Sequence, residues 1–457
     1  MPEIEIPFAT QAGESSVIQN SAERLVNMYA ELEVSGRKRI IRRQRAGLRQ
    51  LLANTGTKRA IEHYNGTDYT VIGNTFYSFN GTSLTSLGTL SSSSGRCWII
   101  FNDLGHAMVS DGSVAYNYNG STFTAITTPG SVAVGTLAYQ SGYGIFNVPN
   151  EAQFYITALN DFSTIDALDY ATAESSPDPI LRVFVDHGQL FLCGTRTIEA
   201  WQQSGTSDFP YQPLTNSTVA RGIAAKNAIV SEDNTIMFVG DDKVIYRLQG
   251  YTPTRVSNGA IERAILAVSQ AALDGCEAFA YTSGGQKFIT FRFDGELTVQ
   301  YNLGTGLWNY AKSYGYADWR MLGSAGGYNR YFATPTGLVA LDESLNTDET
   351  VTMLRVARSA PGDAGGKEIS VISVFLDAEM GRAAISVDAN VMLRFAPDGE
   401  TFGNIRTRSL GSIGDYRHRA VWRAVGSGRK PTLEFSMSDN ARFSIMAAIC
   451  DLEAETD

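Results

Sequence analysis

The side chains best able to do chemistry in this chain are four histidines, four cysteines and a scatter of carboxylates. A metal centre needs ligands at short, fixed spacings. His63, His106, His187 and His418 stand apart from one another, and Cys97, Cys193, Cys276 and Cys450 contain no C-x-x-C pair. A serine nucleophile of the G-x-S-x-G kind sits on a strand-to-helix turn. The nearest approach, Gly323-Ser324-Ala325-Gly326, lacks that order, and no G-x-x-x-x-G-K-[ST] phosphate loop occurs. Glycoside hydrolysis needs two facing carboxyls, one of them with a raised pKa. Asp111, Asp186, Asp241, Asp242, Asp294 and Glu296 are the candidates, but most fall in turn contexts, where aspartate accepts bonds from the local backbone. The Ser-x-Asp-x-Gly-x-x-Trp box of sialidase-like propellers is absent. These residues predict no catalytic centre, no cofactor and no metal, so the chain reads as a non-enzyme.

The elements around them carry a plainer signal. FYSFNGTSL (76–84) is followed 39 positions later by AYNYNGSTF (115–123), with Tyr77, Phe79, Asn80 and Gly81 answered by Tyr116, Tyr118, Asn119 and Gly120. Strands of the same texture recur as FYITAL, TIEAW, KVIYRL, LTVQY and GLVAL, about 40–50 residues apart, the period of a four-stranded propeller blade. Within each interval short alternating strands meet at Asn-Gly, Asp-Gly or similar dipeptides, which favour hairpins because both residues tolerate positive φ. A four-stranded sheet cannot bury both its faces alone, and radial stacking solves that. The pattern therefore predicts an all-β fold: a β-propeller of six or seven blades over 55–345, then a C-terminal β-sandwich over 346–457. A pair of sandwiches would also show frequent turns, but not the long recurrence.

Helix is scarce. Residues 20–31, 162–174 and 257–270 (behind Ser257 or Asn258) carry helical spacing and are expected to form short packing helices. The N-terminal 1–54 reads as an arm with a short helix and a basic strand. In the C-terminal part, Trp422 and Val425 are expected core residues, with the neighbouring arginines as a rim. Asn65, Asn80, Asn119 and Asn216 match the glycosylation sequon, but the turn reading explains them better.

Lys and Arg total 37 against 47 Asp and Glu, for a net charge of −10, which excludes a general nucleic-acid gripper. The exception is GRKRIIRRQRAGLRQ (36–50), where Ile40 and Ile41 predict partial burial. Arg37, Lys38, Arg39, Arg42, Arg43 and Arg45 are the candidate subunit contacts. The N-terminus has no apolar signal-peptide core, and no apolar run is long enough to span a membrane. Three cysteines lie in apolar runs (CWII, LFLC, MAAIC), which predicts buried free thiols and folding in a reducing cytosol.

Several stretches resemble a known family. GYGIFNVPNEAQFYITALNDFSTIDALDYATAESSPDPI (142–180), GQLFLCGTRTIEAWQQSGTSDFPYQPLTNSTVARGIAAKNAIV (188–230) and KVIYRLQGYTPTRVSNGAIERAI (243–265) are similar to packaged-DNA stabilisation proteins, the tail hub or nozzle of short-tailed phages. RLVNMYAE (24–31), AGLRQL (46–51) and RHRAVWRAVGSGRKPTLEFSMSDN (417–440) fit as well, although the family more often has Pro where Ala46 stands. The resemblance implies a homo-oligomeric ring, a hexamer, in the virion tail. It implies portal and adaptor proteins above, fibres or tailspikes docked at the side, and packaged double-stranded DNA passing without sequence-specific contact. Synthesis in the bacterial host cytoplasm goes with that reading. The competing readings are a carbohydrate-binding propeller adhesin, whose aromatics would cluster at exposed loop tips, and a propeller glycosidase. Trp201, Trp308, Trp319 and Trp422 sit in or beside strands, which disfavours the first.

Overall fold

The computed structural model describes residues 3–5, 8–33, 40–173, 178–206, 209–323, 331–382 and 388–454. Six units of four antiparallel strands follow one another over residues 58–89, 98–125, 137–172, 180–213, 229–255 and 277–310. The seventh is built from distant parts of the chain. Tyr331–Thr334 and Gly337–Asp342 pair with Gly47–Ala53, and Thr347–Asp348 flanks that strand in parallel. The first strands of units one to four approach one another in sequence order, as do those of units five and six, and the first strand of the seventh unit returns to that of the first. The ring is a propeller of seven blades.

The recurring motif now has a place. FYSF, AYNY, FYITAL, TIEAW, KVIYRL and LTVQY are the third strands of blades one to six, and GLVAL is the second strand of the seventh. The twin turns are built alike. The Asn80 carboxamide oxygen accepts from the Thr82 and Ser83 amides at 3.0 and 2.8 Å, and Asn119 accepts from Ser121 and Thr122 at 3.1 and 2.9 Å. Gly81 and Gly120 then take φ of 95° and 93°, which a Cβ would strain.

Apolar alternation along each strand feeds the gaps on both sides of its blade. Phe76 joins Ile99 and Tyr116 in the gap to blade two. Phe79, three residues on and therefore on the opposite face, meets Leu338 of blade seven. Among the described residues each of the seven gaps holds one such cluster.

An eighth core belongs to a β-sandwich. One of its sheets contains Met28–Leu32, Ile40–Gln44, Ser444–Ala454, Ile369–Ala378 and Ala420–Gly428. The other continues directly from blade six. Leu307–Tyr310 pairs with Arg24–Val26, which pairs with Arg355–Arg358 and so with Thr432–Met437, Asn390–Ala396 and Arg406–Ser409. Propeller and sandwich thus share one nine-stranded sheet. Trp422 and Val425 are buried in the sandwich, and Arg417, Arg419 and Arg423 are exposed around it.

Two of the three expected helices are not helices. Residues 20–31 form the strands Arg24–Val26 and Met28–Leu32, broken at Asn27 with φ 54°. Leu25 and Met28 both reach the sandwich core because that break resets the strand alternation, which imitates helical spacing. Within 162–174, turns lead to the strand Tyr170–Thr172, and residue 174 lies outside the described residues. Asp161 and Asp166 there accept from the Ser163 and Leu168 amides, both at 2.8 Å, and such local bonds compete with a helix. The third expectation holds as the helix Gly259–Leu266, with Asn258 accepting from the Ile261 amide at 3.0 Å. A second short helix, Gln270–Asp274, follows it, and the pair packs between blades five and six.

Candidate functional site

The first strand of each blade faces the propeller axis, and there charged side chains interrupt the apolar pattern. Glu62 lies on Lys58–Tyr64, Arg182 on Ile180–Asp186 and Glu277 at the start of Glu277–Ser283, while Arg96 and Asn227 precede the first strands of blades two and five. All five line one axial cavity of about 300 Å³. A second cavity of about 390 Å³ shares Arg96, Trp98, Asn227 and Glu277 and reaches the surface at Gly95, Lys226 and Asp274.

Asn227 is the hub of this cluster. Its Nδ2 donates to Glu277 Oε1 at 3.1 Å, and its Oδ1 accepts from Arg182 Nη1 at 2.5 Å and from Trp98 Nε1 at 3.1 Å. Its backbone carbonyl accepts from the Ala278 amide at 2.8 Å, which ties blade five to blade six. Arg96 pairs with Glu277 at 2.9 Å. A β-bulge between Ile180 and Arg182 shifts the register where Arg182 turns towards the cavity.

Burial sets the charge states. Burial pushes the Glu62 carboxyl up to about 7, against the pull of Arg96, His63 and Arg182. It raises Glu277 as well, opposed by Arg96, Arg182 and Arg292. Burial lowers Arg182 to about 10, with Arg96 adding to the shift. Glu62 can therefore hold or release a proton near neutrality, whereas Glu277 is committed to Arg96 and Asn227. That arrangement exchanges a proton and offers positive charge to a small anion. It does not leave two free carboxyls to face a glycosidic bond.

The carboxylates singled out from the sequence are elsewhere and engaged. Asp111 accepts from the Val114 amide and from Ser92, Asp186 from Ser231, Asp242 from Tyr246 and Glu296 from Ser269. Asp241 and Asp242 share Arg221, and Asp294 pairs with Arg292. His63 meets Asp68 at 2.6 Å, His187 lies between Asp186 and Asn234, His418 pairs with Asp415, and His106 precedes the strand Ala107–Ser110. Among the described residues no three His, Cys, Asp or Glu side chains gather as a metal site. All four cysteines are buried and free. All five tryptophans are buried, whereas Tyr170, Tyr314, Tyr316 and Tyr416 are exposed. Among the described residues no helix is long and apolar enough to cross a membrane.

Of the six basic candidates, Arg37, Lys38 and Arg39 lie outside the described residues. The expectation for Arg42 and Arg45 as subunit contacts is corrected: both are buried ties within the chain. Arg42 donates to the Phe8 and Ala9 carbonyls, each at 2.9 Å. Arg45 grips Asp348 at 2.8 and 2.5 Å, donates to Asn27 at 2.9 Å and stacks 4.7 Å from the Trp319 ring centre. Arg42 is the buried position of the strand Ile40–Gln44 and Arg45 follows that strand, a placement that a count of charges does not reveal. Arg43 pairs with Glu31 at 2.7 Å and lines a cavity between propeller and sandwich beside Tyr29, Glu343 and Arg442.

The axial cluster was missed at the level of sequence because its members belong to five blades and share no spacing. The available signal was a lone charge in the first strand of a blade, readable only once the blade register is known.

Two family models match the chain in order. One described as "Bacteriophage P22 Gp10, beta-propeller" covers residues 4–327, and one described as "Bacteriophage P22 Gp10, beta-sandwich" covers 362–453. No curated protein matches the chain. Among solved structures, the computationally designed Ika8 protein is 10% identical, with 70% of this chain and 99% of that chain covered and a TM-score of 0.41. The AfRom2 CNH domain is 10% identical, with coverage of 65% and 99% and a TM-score of 0.43. PorZ of Porphyromonas gingivalis is 13% identical, with coverage of 79% and 46% and a TM-score of 0.38.

Proposed function

The chain belongs to the bacteriophage P22 Gp10 family, a virion tail component, and on that premise we propose that it forms the tail hub of a short-tailed phage. In this reading six copies make a ring below the portal–adaptor complex. The ring closes or extends the DNA channel, holds the packaged DNA and docks fibres or tailspikes. It is a structural role, not a catalytic one.

The observation that carries the reading is the nine-stranded sheet running from blade six into the sandwich. A hub under load from packed DNA and from fibres must pass force between docking faces without hinging. A shared sheet does so, because bending it breaks a ladder of backbone hydrogen bonds. The DNA path lies between subunits in this proposal. An axial cavity of about 300 Å³ cannot admit a duplex whose major groove alone is about 12 Å wide. A net charge of −10 suits a wall that DNA slides along without being gripped. The basic contact to acidic adaptor subunits is proposed for Arg37, Lys38 and Arg39, with Arg43 beside them in sequence.

Negative-stain electron microscopy of the purified protein mixed with adaptor-bearing portal tests the reading. A ring stacked on the portal is expected, and free monomers beside bare portals would overturn it. The adhesin reading makes the opposite forecast, binding on a glycan array without any portal.

A further inference from the structure

We propose that the axial cavity is a binding site for a small monocarboxylate, held by Arg182 with its hydrocarbon end against the apolar wall that includes Trp98, Ile100 and Val185. The guanidinium is held in place on one side only. Nη1 donates to Asn227 Oδ1 at 2.5 Å and to the Lys226 carbonyl at 3.4 Å, while Nε is buried and has no hydrogen-bond partner among the described residues. A guanidinium edge presenting Nε and a terminal nitrogen matches the two oxygens of a carboxylate. Arg96, its neighbour, already has Glu277 as counterion at 2.9 Å, but Arg182 makes no ion pair among the described residues. The bulge at Ile180–Arg182 supplies the local re-aiming, and bulges serve that purpose at sites.

Size and charge narrow the ligand. About 300 Å³ is the lower end of small-molecule sites, enough for a short acid and not for a nucleotide. A phosphate dianion would bring a second negative charge beside Glu62 and Glu277, whereas a monocarboxylate brings one. The side chains of Trp98, Ile100 and Val185 offer apolar surface that a short hydrocarbon chain can cover. The charged groups around Glu62 are His63 on its own strand, Arg96 of the neighbouring blade two, Arg182 of blade four and Glu277 in the same cavity, with Lys226 and Asp274 in the adjoining second cavity. An anion on Arg182 withdraws the positive charge that favours ionised Glu62, so binding takes up a proton there. Affinity consequently falls as pH rises through neutrality.

The test is calorimetric titration of the full-length protein with sodium propionate, with sodium chloride and sodium phosphate run at equal ionic strength. Saturable binding of one propionate per chain is expected, with Arg182→Gln weakening it about ten- to a hundred-fold, the worth of a hydrogen bond to a charged group. Absence of saturable heat, binding of chloride or phosphate as tight as that of propionate, or an unchanged Arg182→Gln variant would each overturn the site. If that variant does not fold, the wild-type protein still decides. Propionate affinity falling from pH 6 to pH 8 supports the proposal, and a flat profile refutes it.

Discussion

Replacing Arg45 with Ala should open the seventh blade. Arg45 lies two residues before the strand Gly47–Ala53, and its partner Asp348 lies on the strand flanking it. The pair is almost fully enclosed, with side-chain exposures of 3% and 9%. Truncating the arginine strands the Asp348 carboxylate in that setting, and breaking such a pair costs about 3–5 kcal/mol. At about 1.4 kcal/mol per factor of ten, local opening becomes about a hundred- to several-thousand-fold more frequent. Hydrogen exchange read by mass spectrometry suits the question, because the loss is local and global unfolding of a chain with two cores is not two-state. Peptides over 47–53 and 337–342 should exchange faster by that factor, while peptides of blade three serve as the internal standard. A double variant, Arg45→Met with Asp348→Leu, should recover most of the protection, since an apolar pair of similar volume removes the stranded charge. An acceleration below tenfold in Arg45→Ala, or a double variant as open as the single, would refute the view that this ion pair latches the ring.

Further outcomes follow from the same structure. Glu62 has a folded pKa near 7, above the ordinary glutamate value. Its contribution to stability is full below the unfolded pKa and is lost as pH rises through 7. The melting temperature of Glu62→Gln should thus gain on the wild type between pH 5 and pH 8, and a constant difference would contradict this. Burial raises the thiols of Cys97 to about 11 and of Cys193 and Cys450 to about 12, and Cys276 is raised as well. A thiol reagent at pH 8 should label none of the four in the native protein and all of them in denaturant. Asn258→Ala removes the cap on the Ile261 amide and a bond to the Ala12 carbonyl, and it should cost about 1–2 kcal/mol, seen as a lower melting temperature. Charge reversal at Arg37, Lys38 and Arg39 should weaken portal docking with the melting temperature unchanged, as judged by co-sedimentation. Deleting the first fifty residues could not test this, because Arg24–Val26, Met28–Leu32 and most of Gly47–Ala53 are structural strands.

What the sequence determined by itself is the local grammar. Alternation with period two and Asn-Gly turns act over a few residues, so the strands of blades one to six and the twin turns at Asn80 and Asn119 are written where they form. The same holds for the cap at Asn258. Tertiary structure decided whatever depends on partners far along the chain. Gly47–Ala53 completes blade seven only because Gly337–Asp342, about 290 residues later, offers it an edge. Residues 24–32 have spacing that serves a helix or two short strands equally, and the edges of blade six and the sandwich selected strands. Arg42 and Arg45 read as surface charge until the folded chain surrounds them with carbonyls and Asp348. The axial cluster of Glu62, Arg96, Arg182, Asn227 and Glu277 exists only once the ring has closed, because it is closure that brings charges from separate blades to the walls of one cavity.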